Sequence, residues 1–313
     1  LYWAYDEAQG VVSLIVPNAA EVFGRDAAGK SVVDLSGAYA SGMQKAHNLN
    51  RCYRTPRMVL TAAHAINMGL KRVGGPLQGV TRKEDWTALG YQVVAGDFGP
   101  ASVKAGAQVV IERPLSSSGH PADAPDFAAD VGGAQVLQVE VVQSLTQAVD
   151  GVVQGIQQDL ERGLRPEDIA VVALDSMKAL TAVGDGLKTA GIRVLALTDE
   201  NRDVFRQPEH VTLTSINRAK GNEAYKVYAL DLHVAGMPFV KDAAAEMVAR
   251  NQAFVALTRT KMWCVAIGLD GAVMRELHAA KTQDGKLSFT AFNQASLKRS
   301  MEDAEAGQVS LLE

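Results

Sequence analysis

Residues 169–174 read Ile-Ala-Val-Val-Ala-Leu, an apolar run without a charged or polar side chain. A short run of this kind is typical of a strand buried on both faces, as the strands of parallel sheets are. Other stretches rich in apolar and β-branched residues also predict strands, although some contain a charged side chain. They lie at residues 136–141, 192–197, 211–215, 227–232 and 264–268. Helical apolar spacing separates several of them, at residues 145–160, 179–190 and 243–257. Strands that alternate with helices predict an α/β fold, in which helices cover both faces of a mostly parallel sheet.

Two helices carry clear end signals in the sequence. Ser144 and Gln147 have the spacing of a capping box, and Gly163 follows the last apolar position of that helix. Thr55 and Pro56 predict a further helix start, with Thr55 as the N-cap and Pro56 as the first helical residue. We therefore expect the residues before Thr55 to lie at the amino end of a helix.

The composition limits the classes of function. The 313 residues carry 31 basic and 35 acidic side chains, and the 47% hydrophobic and 21% charged content is that of an ordinary globular protein. Because the formal net charge is −4, any nucleic-acid contact must come from a local basic strip. Cys52 and Cys264 are too few for a disulfide framework or a zinc site, so we expect a reducing, cytoplasmic setting and no bound metal. No apolar run approaches the roughly 20 residues of a membrane span, so we expect a soluble chain without a membrane partner.

One segment satisfies a phosphate-loop pattern. Residues 24–31 read Gly-Arg-Asp-Ala-Ala-Gly-Lys-Ser and match G-x-x-x-x-G-K-S/T. A working phosphate loop leaves a buried strand and opens a helix whose first amides bind the phosphates. Here a helical pattern precedes the motif and a strand or turn pattern follows it, which favours an exposed turn. A self-contained P-loop NTPase that uses Gly24 to Ser31 remains an alternative hypothesis.

Three later segments place arginine, aromatic and carboxylate side chains at the ends of predicted elements. Residues 52–57 read CYRTPR at a helix entrance, residues 212–223 read TLTSINRAKGNE after a strand, and residues 253–261 read AFVALTRTK at a helix end. In order and chemistry they resemble motifs IV, V and VI of the UvrD/Rep-like superfamily 1 helicases. The patterns of that family are close to N-Y-R-S/T, T-I/L-H-x-A/S-K-G-x-E and V-A-L-T-R-A. The resemblance implies a RecA-like fold.

The sequence Asp6-Glu7-Ala8-Gln9 follows the apolar stretch at residues 1–5. It resembles either motif II of the family, the magnesium-binding D-E-x-x, or motif III, which ends in a glutamine. The residues between Gln9 and Tyr53 contain no separate motif III, which favours the motif III interpretation. The P-loop and the magnesium carboxylates would then lie in sequence outside this chain.

The resemblance also implies a division of the chain. The expected units are the end of a first RecA-like domain and a connection (1–50), a second RecA-like motor domain (51–72 and 134–290), an irregular, partly β insertion (73–133), and an acidic C-terminal tail (291–313). Residues 73–133 are rich in Gly, Pro and Ser between short β-branched stretches, which is why an insertion is predicted there.

Each matched residue takes a role from the family. Three residues would be catalytic, Gln9 as the sensor of the γ-phosphate and two arginine fingers, Arg54 and Arg259. The nucleotide-binding residues would be Asp6, Tyr53 as the ring stacked on adenine, Lys220, Gly221, and Glu223 as the acceptor from the ribose. The nucleic-acid-binding residues would be Thr214, Ser215 and Asn217.

The implied function is that of the C-terminal motor domain of an ATP-dependent superfamily 1 DNA helicase or translocase. Its branch is often fused to a nuclease-related N-terminal domain. ATP and Mg²⁺ would act in the complete protein, single-stranded DNA and the P-loop domain would be the partners, and this chain alone would be inactive. A non-catalytic module with the same fold, used for nucleotide sensing or protein binding, is the alternative.

Some positions depart from the family pattern. Cys52 stands where Asn is usual before the Tyr-Arg pair, and Asn217 stands where motif V has His. Residues 10–14 read GVVSL, where the family has aromatic residues that stack on single-stranded bases. Since base stacking contributes about 1–3 kcal/mol per base, the expected grip on single strands is weaker.

Overall fold

A computed structural model gives the fold of residues 20, 23–33, 38, 40–43, 50–124, 126–127, 135–174, 177–197, 204–237 and 242–300. The predicted strand at residues 1–5 and the candidate residues Asp6 and Gln9 lie outside the described residues.

The described chain alternates helices and strands over most of its length. The α-helices are α1 (Arg57–Met68), α2 (Lys83–Ala88), α3 (Pro100–Ala105), α4 (Leu145–Glu161), α5 (Met177–Thr189), α6 (Ile216–Ala219), α7 (Ala243–Leu257) and α8 (Ala272–Lys281). The strands are β1 (Gln78–Gly79), β2 (Gln92–Ala95), β3 (Gln108–Glu112), β4 (Leu137–Val142), β5 (Ile169–Ala173), β6 (Val194–Ala196), β7 (Val211–Ser215), β8 (Ala224–Leu230), β9 (Thr260–Leu269), β10 (Lys286–Thr290) and β11 (Arg299–Ser300).

A six-stranded sheet in the order β4-β9-β8-β5-β7-β6 forms the centre of the fold. Each pair of neighbours in it is parallel. Alternate residues of a strand point to opposite faces, so Ala170 and Val172 on β5 pack with α1, α7 and α8, whereas Ile169 and Val171 pack with α4 and α5. The prediction of a three-layer α/β fold with helices on both faces, as in RecA-like domains, is confirmed.

A second, antiparallel sheet in the order β10-β3-β2 lies apart from the large one. Aromatic side chains pack against one another beneath it, namely Trp86, Tyr91, Phe98, Phe289 and Phe292. The strand β1 also pairs with β11 near the end of the described chain. The stretch at 73–133 therefore forms its small sheet together with residues 286–290 instead of folding by itself.

The helix ends show which local signals decided the structure. The Ser144 hydroxyl accepts the backbone N–H of Gln147 at 3.1 Å and caps α4, so the capping-box prediction is confirmed. The prediction that Thr55 is the N-cap of α1 is wrong. Pro56 occupies the N-cap without a side-chain hydrogen bond, and the Asp123 carboxylate accepts the first free N–H, that of Arg57, at 2.9 Å. A carboxylate from a distant loop thus replaces the local cap.

None of the helices that the structure describes is both long and apolar enough to cross a lipid bilayer.

Stability is expected to fall on mild acidification because of His64 on α1. Its ring is hydrogen-bonded to the Tyr91 hydroxyl at 2.8 Å and stacks on Phe254. Burial, assisted by the nearby Arg113 charge, lowers the pKa of His64 to about 3. The unfolded chain binds a proton near pH 6.5 whereas the folded chain does so only near pH 3, so acid in this window favours unfolding.

Between pH 7 and pH 5 we expect His64 to account for a loss of about 1–2 kcal/mol in the free energy of urea unfolding. The variant His64→Gln, which does not titrate in this range, should lack that part of the loss. An identical pH dependence in the two proteins would contradict the prediction.

Candidate functional site

The three motif segments meet at the amino-terminal edge of the large sheet. Glu223 directly precedes β8, Arg259 directly precedes β9, and Arg54 reaches Glu223 from the loop before α1. The Nε atom of Arg54 lies 3.5 Å from Oε2 of Glu223. Arg259 Nη1 donates to the carbonyl of Asn222, the residue before Glu223, at 3.3 Å. The structure therefore brings Arg54, Glu223 and Arg259 together across long sequence separations.

Glu223 is the acidic centre of this group. Its Oε1 atom lies 3.0 Å from Nζ of Lys261, and its Oε2 atom faces Arg54. The side chains of Arg54, Glu223 and Lys261 are 42%, 33% and 37% exposed. Lys261 Nζ also lies 5.5 Å from the centre of the Tyr225 ring, a cation–π distance. One half-exposed carboxylate thus bridges two cations from different segments.

Arg259 is buried, although an arginine finger has to lie near a surface to reach a phosphate bound by another domain. Its side chain is 2% exposed, and Nε donates to the carbonyl of Val255 at 3.1 Å. Its own carbonyl accepts the N–H of Ala224 at 3.1 Å. The guanidinium fills the turn between α7 and β9, where unpaired carbonyls at the helix end attract a cationic donor. In this arrangement Arg259 supports the loop that carries Glu223.

Tyr53 presents an exposed ring beside Arg54. The residue is 65% exposed, and Arg51 places its guanidinium carbon 5.2 Å from the ring centre. The ring rests on Gly119, because a Cβ atom added there would lie 2.3 Å from two ring carbons. The absence of a side chain at Gly119 is therefore what lets Tyr53 lie flat against this part of the chain.

Residues 113–123, here called the clasp, hold the loop that carries Tyr53. The N–H of Cys52 donates to the carbonyl of Ser117 at 3.1 Å, and the N–H of Gly119 donates to the carbonyl of Cys52 at 2.8 Å. Arg113 Nη2 donates to the carbonyls of Asn50 and Ser117. The clasp thereby fixes the backbone on both sides of Cys52.

The clasp also reaches the start of β9. His120 Nδ1 accepts the N–H of Ala122 at 3.0 Å, so Nε2 carries the proton that it donates to the carbonyl of Lys261 at 2.5 Å. Asp123, which caps α1, lies in the same segment. The resemblance does not cover His120 and Asp123, which lie in the stretch predicted to be an insertion, and no motif in the sequence singles them out. The clasp joins the segment of Tyr53 and Arg54 to that of Lys261.

The nucleic-acid candidates lie at the other edge of the sheet. Ser215 is level with Ala173 of β5, and Ala173 is level with Leu230 at the carboxyl end of β8. Glu223 adjoins the amino end of β8, about 20 Å away along the strand. Thr214 is buried and Asn217 is exposed. The structure does not bring Thr214, Ser215 and Asn217 together with Arg54 and Glu223.

Lys220 and Gly221 lie in the turn that returns from α6 toward β8. Both are exposed, and Gly221 has a φ of 87°, which favours glycine. They link the two edges of the sheet through only a few residues of chain.

The phosphate-loop pattern at residues 24–31 folds as a turn that is exposed up to Lys30. The Asp26 carboxylate accepts the backbone N–H groups of Ala28 and Lys30, each at 2.9 Å. These amides are the groups that a phosphate loop directs at its ligand. Because a negative side chain already binds them, the geometry argues against a phosphate cradle here.

Comparisons with known proteins give a coarse result. No family model matches the chain, and no curated protein matches it. Among solved structures, the chain is similar to the C-terminal domain of a possible DNA helicase from Lactobacillus plantarum WCFS1. The identity is 19% and the TM-score 0.34, over 54% of this chain and 88% of that chain. A similarity of this size carries no functional detail, so the function must be inferred from the chain's own residues.

Proposed function

We propose that the chain is the C-terminal motor domain of an ATP-dependent superfamily 1 DNA helicase or translocase, and that it completes the nucleotide site of a P-loop domain outside these residues. The observation that carries the proposal is the meeting of Tyr53, Arg54, Glu223 and Arg259 at one sheet edge. They come from segments that match motifs IV, V and VI in order.

Phosphoryl transfer depends on positioning and on stabilising charge at the γ-phosphate, so a second domain that adds a guanidinium group raises the rate. Arg54 is half exposed and has the planar fork that binds phosphate oxygens in pairs. Tyr53 has the exposed ring that stacking on adenine requires. Glu223 would accept from the ribose, and Arg259 would act by holding the loop of Glu223 in place.

ATP fits this edge by the chemistry of the exposed groups, since two cations and one ring suit a polyphosphate and a base. Mg²⁺ neutralises phosphate charge in such reactions. Within the described parts of the chain, no three His, Cys, Asp or Glu residues are grouped to hold a metal ion. By the resemblance, Mg²⁺ and the sensor Gln9 would belong to the P-loop side of the cleft.

Single-stranded DNA would contact the opposite edge at Ser215 and Asn217, whereas Thr214 is buried and would support that edge without touching DNA. Lys220 and Gly221 lie between that edge and Glu223. A movement of Glu223 on nucleotide binding would therefore be transmitted to the DNA-contacting residues through this short connection. This arrangement supports coupling between the nucleotide and the DNA.

A non-catalytic sensing or binding module is the second candidate. The observation that favours it is the carboxylate of Glu223, which already forms ion pairs with both Arg54 and Lys261. The two candidates differ in whether ATP turnover depends on Arg54.

The 313-residue chain alone is expected to show no Mg²⁺-dependent ATP hydrolysis, because in the phosphate-loop pattern the Asp26 carboxylate already accepts the amides of Ala28 and Lys30. Phosphate release should appear only when the chain is joined to its P-loop domain. The variant Lys30→Ala serves as the control and should change neither result. Turnover by the chain alone that Lys30→Ala abolishes would instead establish the self-contained NTPase, and no turnover in the joined protein would overturn the proposed function.

A further inference from the structure

The carboxylate of Glu223 marks a place where an anion binds between two cations. Its two oxygens contact different partners, Nε of Arg54 at 3.5 Å and Nζ of Lys261 at 3.0 Å. A phosphate group offers oxygens at a similar spacing and more negative charge. The same two cations are therefore placed to bind a phosphate once the carboxylate moves aside.

Lys261 rather than Arg259 is the cation of this segment that reaches solvent. Arg259 is 2% exposed and donates to backbone carbonyls of residues 222 and 255, so it is held away from an incoming anion. Lys261 is 37% exposed. Its backbone is fixed by His120 of the clasp, and its ammonium group lies over the Tyr225 ring. Such support reduces the conformational entropy that a free lysine would lose on binding.

Resting on the proposed function, we propose that Lys261 and Arg54 form the phosphate-binding pair of this chain, and that Glu223 occupies their site until a nucleotide polyphosphate displaces it. Glu223 then has a second role besides the ribose contact: it excludes weakly charged ligands. A nucleotide pays the cost of breaking two half-exposed ion pairs, each of which is weak. Lys261 becomes a residue that contacts the phosphate directly.

The test is calorimetric titration of the full 313-residue chain with tripolyphosphate, which has no ribose or base. We expect Lys261→Ala and Arg54→Ala each to weaken binding about tenfold, because each removes a charge-assisted contact. Glu223→Gln should tighten binding several-fold, since it removes the competing charge and keeps the side-chain length. The matched control is Lys286→Ala, because Lys286 is an exposed lysine that also faces a glutamate, at 3.8 Å, outside the site. The control should bind as the wild type does.

Weaker tripolyphosphate binding by Lys261→Ala together with tighter binding by Glu223→Gln would indicate a binding role, because structural damage would weaken binding in both variants. Thermal unfolding of each variant should stay near the wild-type midpoint, as expected for exposed side chains. If Arg54→Ala weakens binding but Lys261→Ala does not, the assignment of Lys261 is wrong and the proposed function stands. If Glu223→Gln weakens tripolyphosphate binding, the proposal that phosphate displaces the Glu223 carboxylate from the two cations is wrong. Absence of binding by the wild type up to about 10 mM would overturn the phosphate-binding pair, whereas the proposed function is tested by turnover in the joined protein.

A ten-residue oligothymidine titrated in parallel distinguishes nucleotide phosphate from the phosphates of DNA. We expect Lys261→Ala to leave its affinity unchanged, because the DNA candidates lie at the other edge of the sheet. If Lys261→Ala weakens binding of the oligonucleotide but not of tripolyphosphate, the assignment to nucleotide phosphate is overturned.

Discussion

Arg54→Ala is expected to lower ATP turnover by about 10³-fold in the protein that joins this chain to its P-loop domain, the size of effect seen when an arginine finger is removed. The guanidinium would bind the γ-phosphate more strongly as charge develops during the reaction than in the ground state, so the loss should fall on kcat more than on KM. Steady-state phosphate release under saturating Mg²⁺ measures both constants. Arg54→Lys should recover little of the rate, since an ammonium group lacks the paired donors.

A matched control for this prediction is Arg206→Ala. Arg206 is an exposed arginine that also pairs with a carboxylate, that of Asp168, away from the site. We expect its turnover to equal that of the wild type. Unchanged turnover in Arg54→Ala would remove the catalytic assignment and favour the non-catalytic module. Arg259→Ala is a poorer test, because loss of a buried guanidinium also disturbs the loop of Glu223.

The bounds of an element could be predicted from the sequence where its apolar pattern is uninterrupted. The bounds of β7 and α7 agree with the predicted ranges, and β5 agrees to within one residue. For β8 the prediction began at residue 227, three residues late, because Tyr225 and Lys226 interrupt the apolar run. Lys226 is nevertheless buried, since its ammonium group pairs with Asp159 of α4 at 2.5 Å. Hydropathy does not reveal a charge that is neutralised by a residue far away in the sequence.

The candidate site was predictable only in part for the same reason. Motif order located Tyr53, Arg54 and Glu223, since each motif combines several residue types within a few positions. His120 and Asp123 belong to no local pattern, and their partners lie 141 and 66 residues away. Such contacts depend on how the segment around the small sheet packs against the rest of the domain. The spacing of apolar residues in the sequence does not specify that packing.

Arg250 links α7 to α8 and to α1 through buried polar contacts. Arg250 on α7 donates to both oxygens of Glu276 on α8, at 2.8 and 2.9 Å, and to the carbonyl of Ile66 on α1 at 2.9 Å. It is 1% exposed, and Glu276 is 5% exposed. Arg54 precedes α1 and Arg259 follows α7, so the hydrogen bond from Arg250 to Ile66 links the two helices next to the site, and the ion pair with Glu276 holds the guanidinium in position for it.

Arg250→Met is expected to lower the free energy of urea unfolding by about 3–5 kcal/mol, because it leaves the buried Glu276 carboxylate without its partner. Arg250→Met combined with Glu276→Met should recover most of the loss, since an apolar pair of similar volume needs no charge compensation. The exposed pair of Arg275 and Asp270 supplies the control, and Arg275→Ala should cost about 1 kcal/mol or less. If Arg250→Met costs no more than Arg275→Ala, the ion pair does not hold the helices together. If the double variant is no more stable than Arg250→Met, the cost arises from hydrogen bonds that both variants lose, such as that to Ile66, instead of from the unpaired carboxylate.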